Sequence, residues 1–195
     1  LRGSDWDYVV LQDQSQIPSL PTSDSNWQAS KNGAVDISTE VEAEGAETVL
    51  FMTWGRRSGE SANQWHQYNN INQNFTSMQE RLTEGYTRYA ENITTAGNTV
   101  WMAPVGLAFK SIHDAVEANG TNASQSGNLF YDLYTADGSH PSLKGSYLAA
   151  CVMFSTMSGE SCVGSTDSVS ISSSVKLELQ QAADDTVFNQ TSGMS

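Results

Sequence analysis

A chain of 195 residues, 38% hydrophobic and with a mean hydropathy of −0.41, is long enough for one compact domain with its own core. Nine Lys and Arg against 22 Asp and Glu leave a formal net charge of −13, so nucleic acid would be repelled over most of the surface. No apolar run approaches the ~20 residues of a membrane span, and the opening "LRGSDWDYVVLQ" lacks the basic region and apolar stretch of a signal peptide.

In chain order, "DYVVLQ" (7–12), "TVLFMTW" (48–54) and "TVWMAPV" (99–105) are short apolar, β-branched runs that read as buried strands. A helix is expected over 26–45. Over 71–93 a second is expected, because Ile71, Phe75, Met78, Leu82, Tyr86, Tyr89 and Ile93 recur at steps of three and four. A shorter amphipathic helix covers 106–119. The run 142–157 is apolar nearly all round and reads as a buried helix. A Ser-rich stretch, 164–173, reads as a linker before a terminal helix over 173–188. Strands alternating with helices predict an α/β fold with a parallel sheet covered on both faces. In such sheets the ligand crevice lies beyond the C-terminal ends of the strands. "QDQSQIP", "WGRRSGE" and "GLAFK" follow the three strands and fall there.

Two cysteines, Cys151 and Cys162, flank the end of the last apolar helix; in an oxidising compartment they would close a small loop, and otherwise they are two unrelated thiols. Five N-x-S/T sequons occur, at Asn74, Asn92, Asn119, Asn122 and Asn189. Several would arise by chance in a chain so rich in Ser and Thr. Together with the acidic surface they point to a secreted, extracellular setting. His66 and His113 have no companions at metal-ligand spacing and read as surface residues, so no metal or other cofactor is expected.

The remaining histidine is different. "DGSH" sets Asp137 and His140 three apart on a turn that Gly138 makes easy, just before Pro141 and the apolar helix. A His that removes a nucleophile's proton needs a carboxylate to fix its tautomer and stabilise the imidazolium. The same Asp can also cap the helix that follows, and the two roles are compatible. After the second strand, Trp54 can stack on a sugar face and Arg56 can bind a carboxylate or sulfate. Equally, Trp54 can be core edge and Arg56 the partner of a nearby acid.

"LYTADGSHPSLKGSYLAACVMF" resembles the last block of the SGNH (GDSL-type) serine esterase superfamily, whose D-x-x-H motif completes a catalytic triad ahead of a final helix. "WDYVVLQDQSQIP", "LFMTWGRRSGE", "VWMAPVGLAF" and "DGSHPSLKGSYLAACV" resemble, in that order, motifs of a little-characterised branch found in bacteria and algae. The resemblance implies a three-layer α/β/α sandwich over residues 1–164, followed by a linker (165–173) and a terminal helix and tail (174–195). It makes Asp137 the triad acid and His140 the base. "LQDQSQ" stands where the superfamily keeps an oxyanion-hole Asn, so Gln14, or failing it Gln12, would donate the amide N–H, unless the loop is merely polar.

The family's nucleophilic Ser follows the first strand of its sheet, whereas the resemblance here begins at the third. The nucleophile is therefore expected from a preceding segment or a second chain that completes the sheet beside "DYVVLQ". Ser15 and Ser139 are weaker substitutes. The implied activity is hydrolysis of ester-linked acyl groups, including those on acylated carbohydrates. The competing expectation is a non-catalytic, extracellular structural or glycan-binding relative in which Asp137 and His140 only cap the last helix.

Overall fold

The computed structural model describes residues 5–60 and 71–189; His66 lies outside them. Three parallel strands form one sheet in the order β1 (Tyr8–Leu11), β2 (Glu47–Phe51), β3 (Val100–Ala103). Tyr8 is opposite Glu47 and Leu11 opposite Leu50; on the other side Thr48 is opposite Val100 and Phe51 opposite Ala103. Successive β2 side chains enter opposite layers, as a period of two requires. Leu50 and Met52 pack with Trp27, Tyr86, Tyr89 and Ile93 from α1 (Ser25–Ala43) and α2 (Phe75–Thr95). Val49 faces the other layer, built from α3 (Val105–Ala118), α4 (Leu129–Asp132), α5 (Leu143–Ser158) and α6 (Ser173–Asp184). The fold is thus the expected α/β sandwich with a parallel sheet. No helix among the described residues is long and apolar enough to cross a membrane.

Several local expectations need correction. The strands are not uniformly buried: Val49 and Leu50 of central β2 are, whereas Val10 and Trp101 on the flanking strands are 43% and 48% exposed. Helix α2 starts at Phe75 rather than 71, because Asn74 and Ser77 form a capping box there; Asn72 instead bridges to Glu60. Helix α5 is not buried all round. Tyr147, Leu148, Cys151 and Val152 face the core, while Leu143 and Phe154 lie open. His113 is not a surface residue: its side chain is 15% exposed and its ring packs between Phe75 and Phe130, with Nδ1 2.9 Å from Asp114.

Beyond the Ser-rich stretch, α6 shares the core, burying Leu179, Ala182 and Ala183. Cys151 and Cys162 are joined in a disulfide, with Cα atoms 5.5 Å apart. Asp184 of α6 ties that loop down, accepting from Ser155 Oγ at 3.0 Å and the Cys162 amide at 2.9 Å, and from Ser161 Oγ. The five sequon asparagines all reach the surface, Asn92 only partly.

Candidate active site

All three strands point their C-terminal ends at one edge of the sandwich, and the polar loops gather there. A cleft of about 330 Å³ is lined by Gln12, Asp13, Gln14, Ser15, Thr53, Trp54, Arg56, Ser139 and His140. The structure therefore brings together the predicted residues Gln12, Gln14, Trp54, Arg56 and His140, with Asp137 directly behind His140.

The Asp137–His140 pair is built by a tight loop. Tyr134 bridges to Pro141, and the Thr135 amide donates to the His140 carbonyl at 2.9 Å. The Gly138 amide donates to the Thr135 carbonyl at 3.0 Å, and Gly138 takes a φ of 67°, a region open to glycine but strained for other residues. Within this loop Asp137 Oδ2 lies 2.6 Å from His140 Nδ1. Oδ1 accepts from the amides of Ser139 (2.8 Å) and His140 (3.0 Å) and from Thr135 Oγ1 (2.8 Å). One carboxylate thus orients the imidazole and organises the turn. The following helix has its own cap, Ser142, so Asp137 is not its N-cap. The His140 side chain is 78% exposed, with Nδ1 engaged and Nε2 available as a base.

The bond from His140, the two amides and the Thr135 hydroxyl hold the Asp137 carboxyl well below the ordinary carboxylate range. Because the folded value is depressed, its stabilising contribution is complete above the unfolded value, about pH 4, and is lost as pH falls through the folded one. The gap in melting temperature between wild type and Asp137→Asn is expected to narrow between about pH 5 and pH 2. Circular-dichroism melts at stepped pH would check this; a constant or widening gap contradicts it.

The loop after β1 is anchored from below. Asp13 Oδ2 accepts from Ser30 Oγ at 2.5 Å and Tyr89 Oη at 2.9 Å, and its amide donates to Tyr86 Oη at 3.2 Å. Burial pushes the Tyr86 phenol up to about 12, so it stays neutral. Gln14 turns its Oε1 inward to accept from the amides of Gln16 (2.7 Å) and Ile17 (3.3 Å), which opens a 3-10 turn, Ile17–Ser19. That fixes the carboxamide and leaves Nε2 without a partner among the described residues. Gln12 lines the same cleft.

At the end of β2, Trp54 stacks on Phe109 with ring centres 4.9 Å apart, and its Nε1 donates to the Ser139 carbonyl at 3.0 Å. Arg56 is ion-paired with Glu60; burial lowers its pKa while Asp137 raises it. Sequence reasoning passed over Arg57. Its amide donates to the Gly138 carbonyl at 2.8 Å, and its guanidinium lies 3.8 Å over the Tyr131 ring. No sequence signal could have separated it from Arg56, since its partners lie more than 70 residues away.

No protein-family model matches this chain, and no curated protein does. Among solved structures, a DUF4886 family protein from Bacteroides uniformis superposes with a TM-score of 0.72 at 16% identity, over 96% of this chain and 64% of its own. A protein from Slackia heliotrinireducens, described as a candidate SGNH hydrolase, superposes with a TM-score of 0.56 at 28% identity, over 80% of this chain and 67% of its own. The chain thus spans about two thirds of the length of each. With its three-stranded parallel sheet between helices and this likeness to solved structures, the protein has an SGNH-like fold.

Proposed function

We propose that this chain carries the acid–base half of a serine hydrolase acting on ester-linked acyl groups, with acylated carbohydrates among its substrates. The observation that carries this reading is the 2.6 Å contact between Asp137 and His140 Nδ1 at the mouth of a polar cleft. A Ser Oγ would attack the acyl carbonyl carbon as His140 Nε2 takes its proton. The tetrahedral intermediate would then collapse, expelling the alcohol with that proton, and water would release the acid by the same steps. Gln14 Nε2, with Gln12 behind it, supports the oxyanion. Trp54 and Arg56 would line the substrate wall, Trp54 backed by Phe109 and Arg56 held by its ion pair with Glu60.

The nucleophile would come from a segment pairing along β1. Among the described residues that strand has a neighbour on one side only, and Asp7 turns its carbonyl toward the Glu47 amide of β2. Groups alternate along a parallel ladder, so Tyr8 and Val10 aim theirs at the open side. A parallel strand there would end beside Gln12 and Ser15, at the cleft, and would cover a dyad that now stands exposed. The disulfide suits an extracellular setting.

A fluorophosphonate applied to the native full-length protein tests the reading. The expected result is one labelled Ser, outside these 195 residues, with labelling abolished by His140→Ala. Labelling of Ser15 or Ser139 would relocate the nucleophile. Absence of any labelled Ser would overturn catalysis in favour of a glycan-binding domain.

A further inference from the structure

We infer that Trp54 and Arg57 are positioning residues that hold the loop 135–140 by its backbone carbonyls and so set the Asp137–His140 geometry. This rests on the reading of that pair as acid and base, and adds a device to it. The loop is an exposed excursion: Thr135, Ala136, Asp137 and His140 are all open to solvent. An unsupported turn of this kind would sample many arrangements, and acid–base catalysis tolerates few.

The support comes from one short segment after β2. Trp54 Nε1 donates to Ser139 O at 3.0 Å and the Arg57 amide to Gly138 O at 2.8 Å. The Arg57 guanidinium reaches the carbonyls of Tyr131, Thr135 and Ala136 at 3.4–3.5 Å while resting on the Tyr131 ring. The three guanidinium contacts are long and individually weak, but a planar fork stacked on an aromatic ring is already oriented to make them together. Between Thr135 and His140, every carbonyl except that of Asp137 is engaged by this segment or by a turn bond of the loop itself.

Each anchor is itself rigid. Trp54 is stacked on fully buried Phe109 and edges Phe51 at 6.3 Å. Tyr134 Oη, at the loop's base, donates to the Gly55 carbonyl at 2.6 Å, tying the two segments together from the buried side. The position of β2 is thereby transmitted to His140 through bonds to the loop's main-chain carbonyls.

The test uses Trp54→Phe, which keeps the stack on Phe109 but removes the donor, and Arg57→Ala. Carboxyl NMR of Asp137 is read first, because it needs no catalytic activity. In wild type the carboxyl is expected to stay ionised at about pH 3; in both variants it should protonate at a higher pH, as the His140 ring and the Ser139 and His140 amides drift away from it. Hydrolysis of a p-nitrophenyl ester by the native full-length protein is read second. We expect kcat to fall about 10- to 100-fold in both variants, with KM within about twofold in Arg57→Ala, whose side chain does not line the cleft. Arg57→Lys should not rescue it, since an ammonium cannot stack or fork. If Arg57→Ala fails to fold, Arg57→Lys, which keeps the stem and the charge, gives the same NMR readout. Unchanged Asp137 titration in the variants overturns the clamp whatever the activity. A shifted titration with no esterase activity even in wild type leaves the clamp standing and sinks the proposed function instead.

Discussion

Replacing His140 by Ala in the native full-length protein is expected to lower kcat for an activated ester by about 10⁴-fold or more, with the fold intact. The size follows from the role proposed for it: without the imidazole, the nucleophile loses the base that Asp137 orients toward it. The intact fold follows from exposure. His140 leaves 78% of its side chain in solvent, so truncation opens no cavity, and its main-chain bonds to Thr135 and Asp137 survive. Asp137→Asn should fall nearly as far for a different reason. The amide oxygen can still accept from the Ser139 and His140 amides, but the amide nitrogen would then face Nδ1 and favour the tautomer protonated on Nε2. A His140→Ala protein retaining more than about a tenth of wild-type kcat would remove the base from this site.

The largest stability loss is expected from Gly85→Ala. Helix propensity alone argues the opposite, because Ala in a helix interior is better than Gly by about 1 kcal/mol. The structure overrides it: a Cβ at Gly85 would stand 1.9 Å from the Pro18 carbonyl oxygen and 2.7 Å from its carbon. Both are backbone atoms of the turn Ile17–Ser19, so no side-chain rotation relieves the clash. A net loss of about 2–3 kcal/mol is expected, read as a lower midpoint in urea or heat. Gly33→Ala is the control. Nothing lies within 4 Å of its Cβ, and mid-helix in α1 it should stabilise by about 0.5–1 kcal/mol. Equal responses at both positions would mean that α2 does not approach the turn this closely. Because that turn is opened by Gln14, Gly85→Ala should also blunt any oxyanion support from the same loop.

What the sequence disclosed and what it hid divide along physical lines. The three strands were legible because a parallel strand under helices is a short β-branched run, and α2 because its stripe repeats over 21 residues. The 3-10 turn at Ile17–Ser19 and the four-residue helix α4 were not, since neither is long enough to show a period. The start of α2 was misplaced because Ile71 fits the apolar stripe while the true cap, Asn74 with Ser77, uses Ser where a capping box usually has Glu or Gln. Polar sequence neighbours disguised His113, which packs on rings from α2 and α4. In the site, Asp137 and His140 were legible because three residues on a Gly turn fix their relation locally. Arg57 and the inward amide of Gln14 depend on contacts that no spacing encodes.

The way the His140 loop is held bears on which substitutions it can accept. Carbonyl oxygens present the same acceptor whatever side chain follows them, so anchoring at Thr135, Ala136, Gly138 and Ser139 is blind to most of the loop's own side chains. Ala136 and Ser139 are expected to accept substitution, whereas Gly138 is confined by its φ and Asp137 and His140 by their bond. The burden of invariance is displaced some eighty residues upstream, onto Trp54 and Arg57. A search for kindred proteins keyed to the pair W-x-x-R and D-x-x-H, in that order, would therefore discriminate better than one keyed to either half.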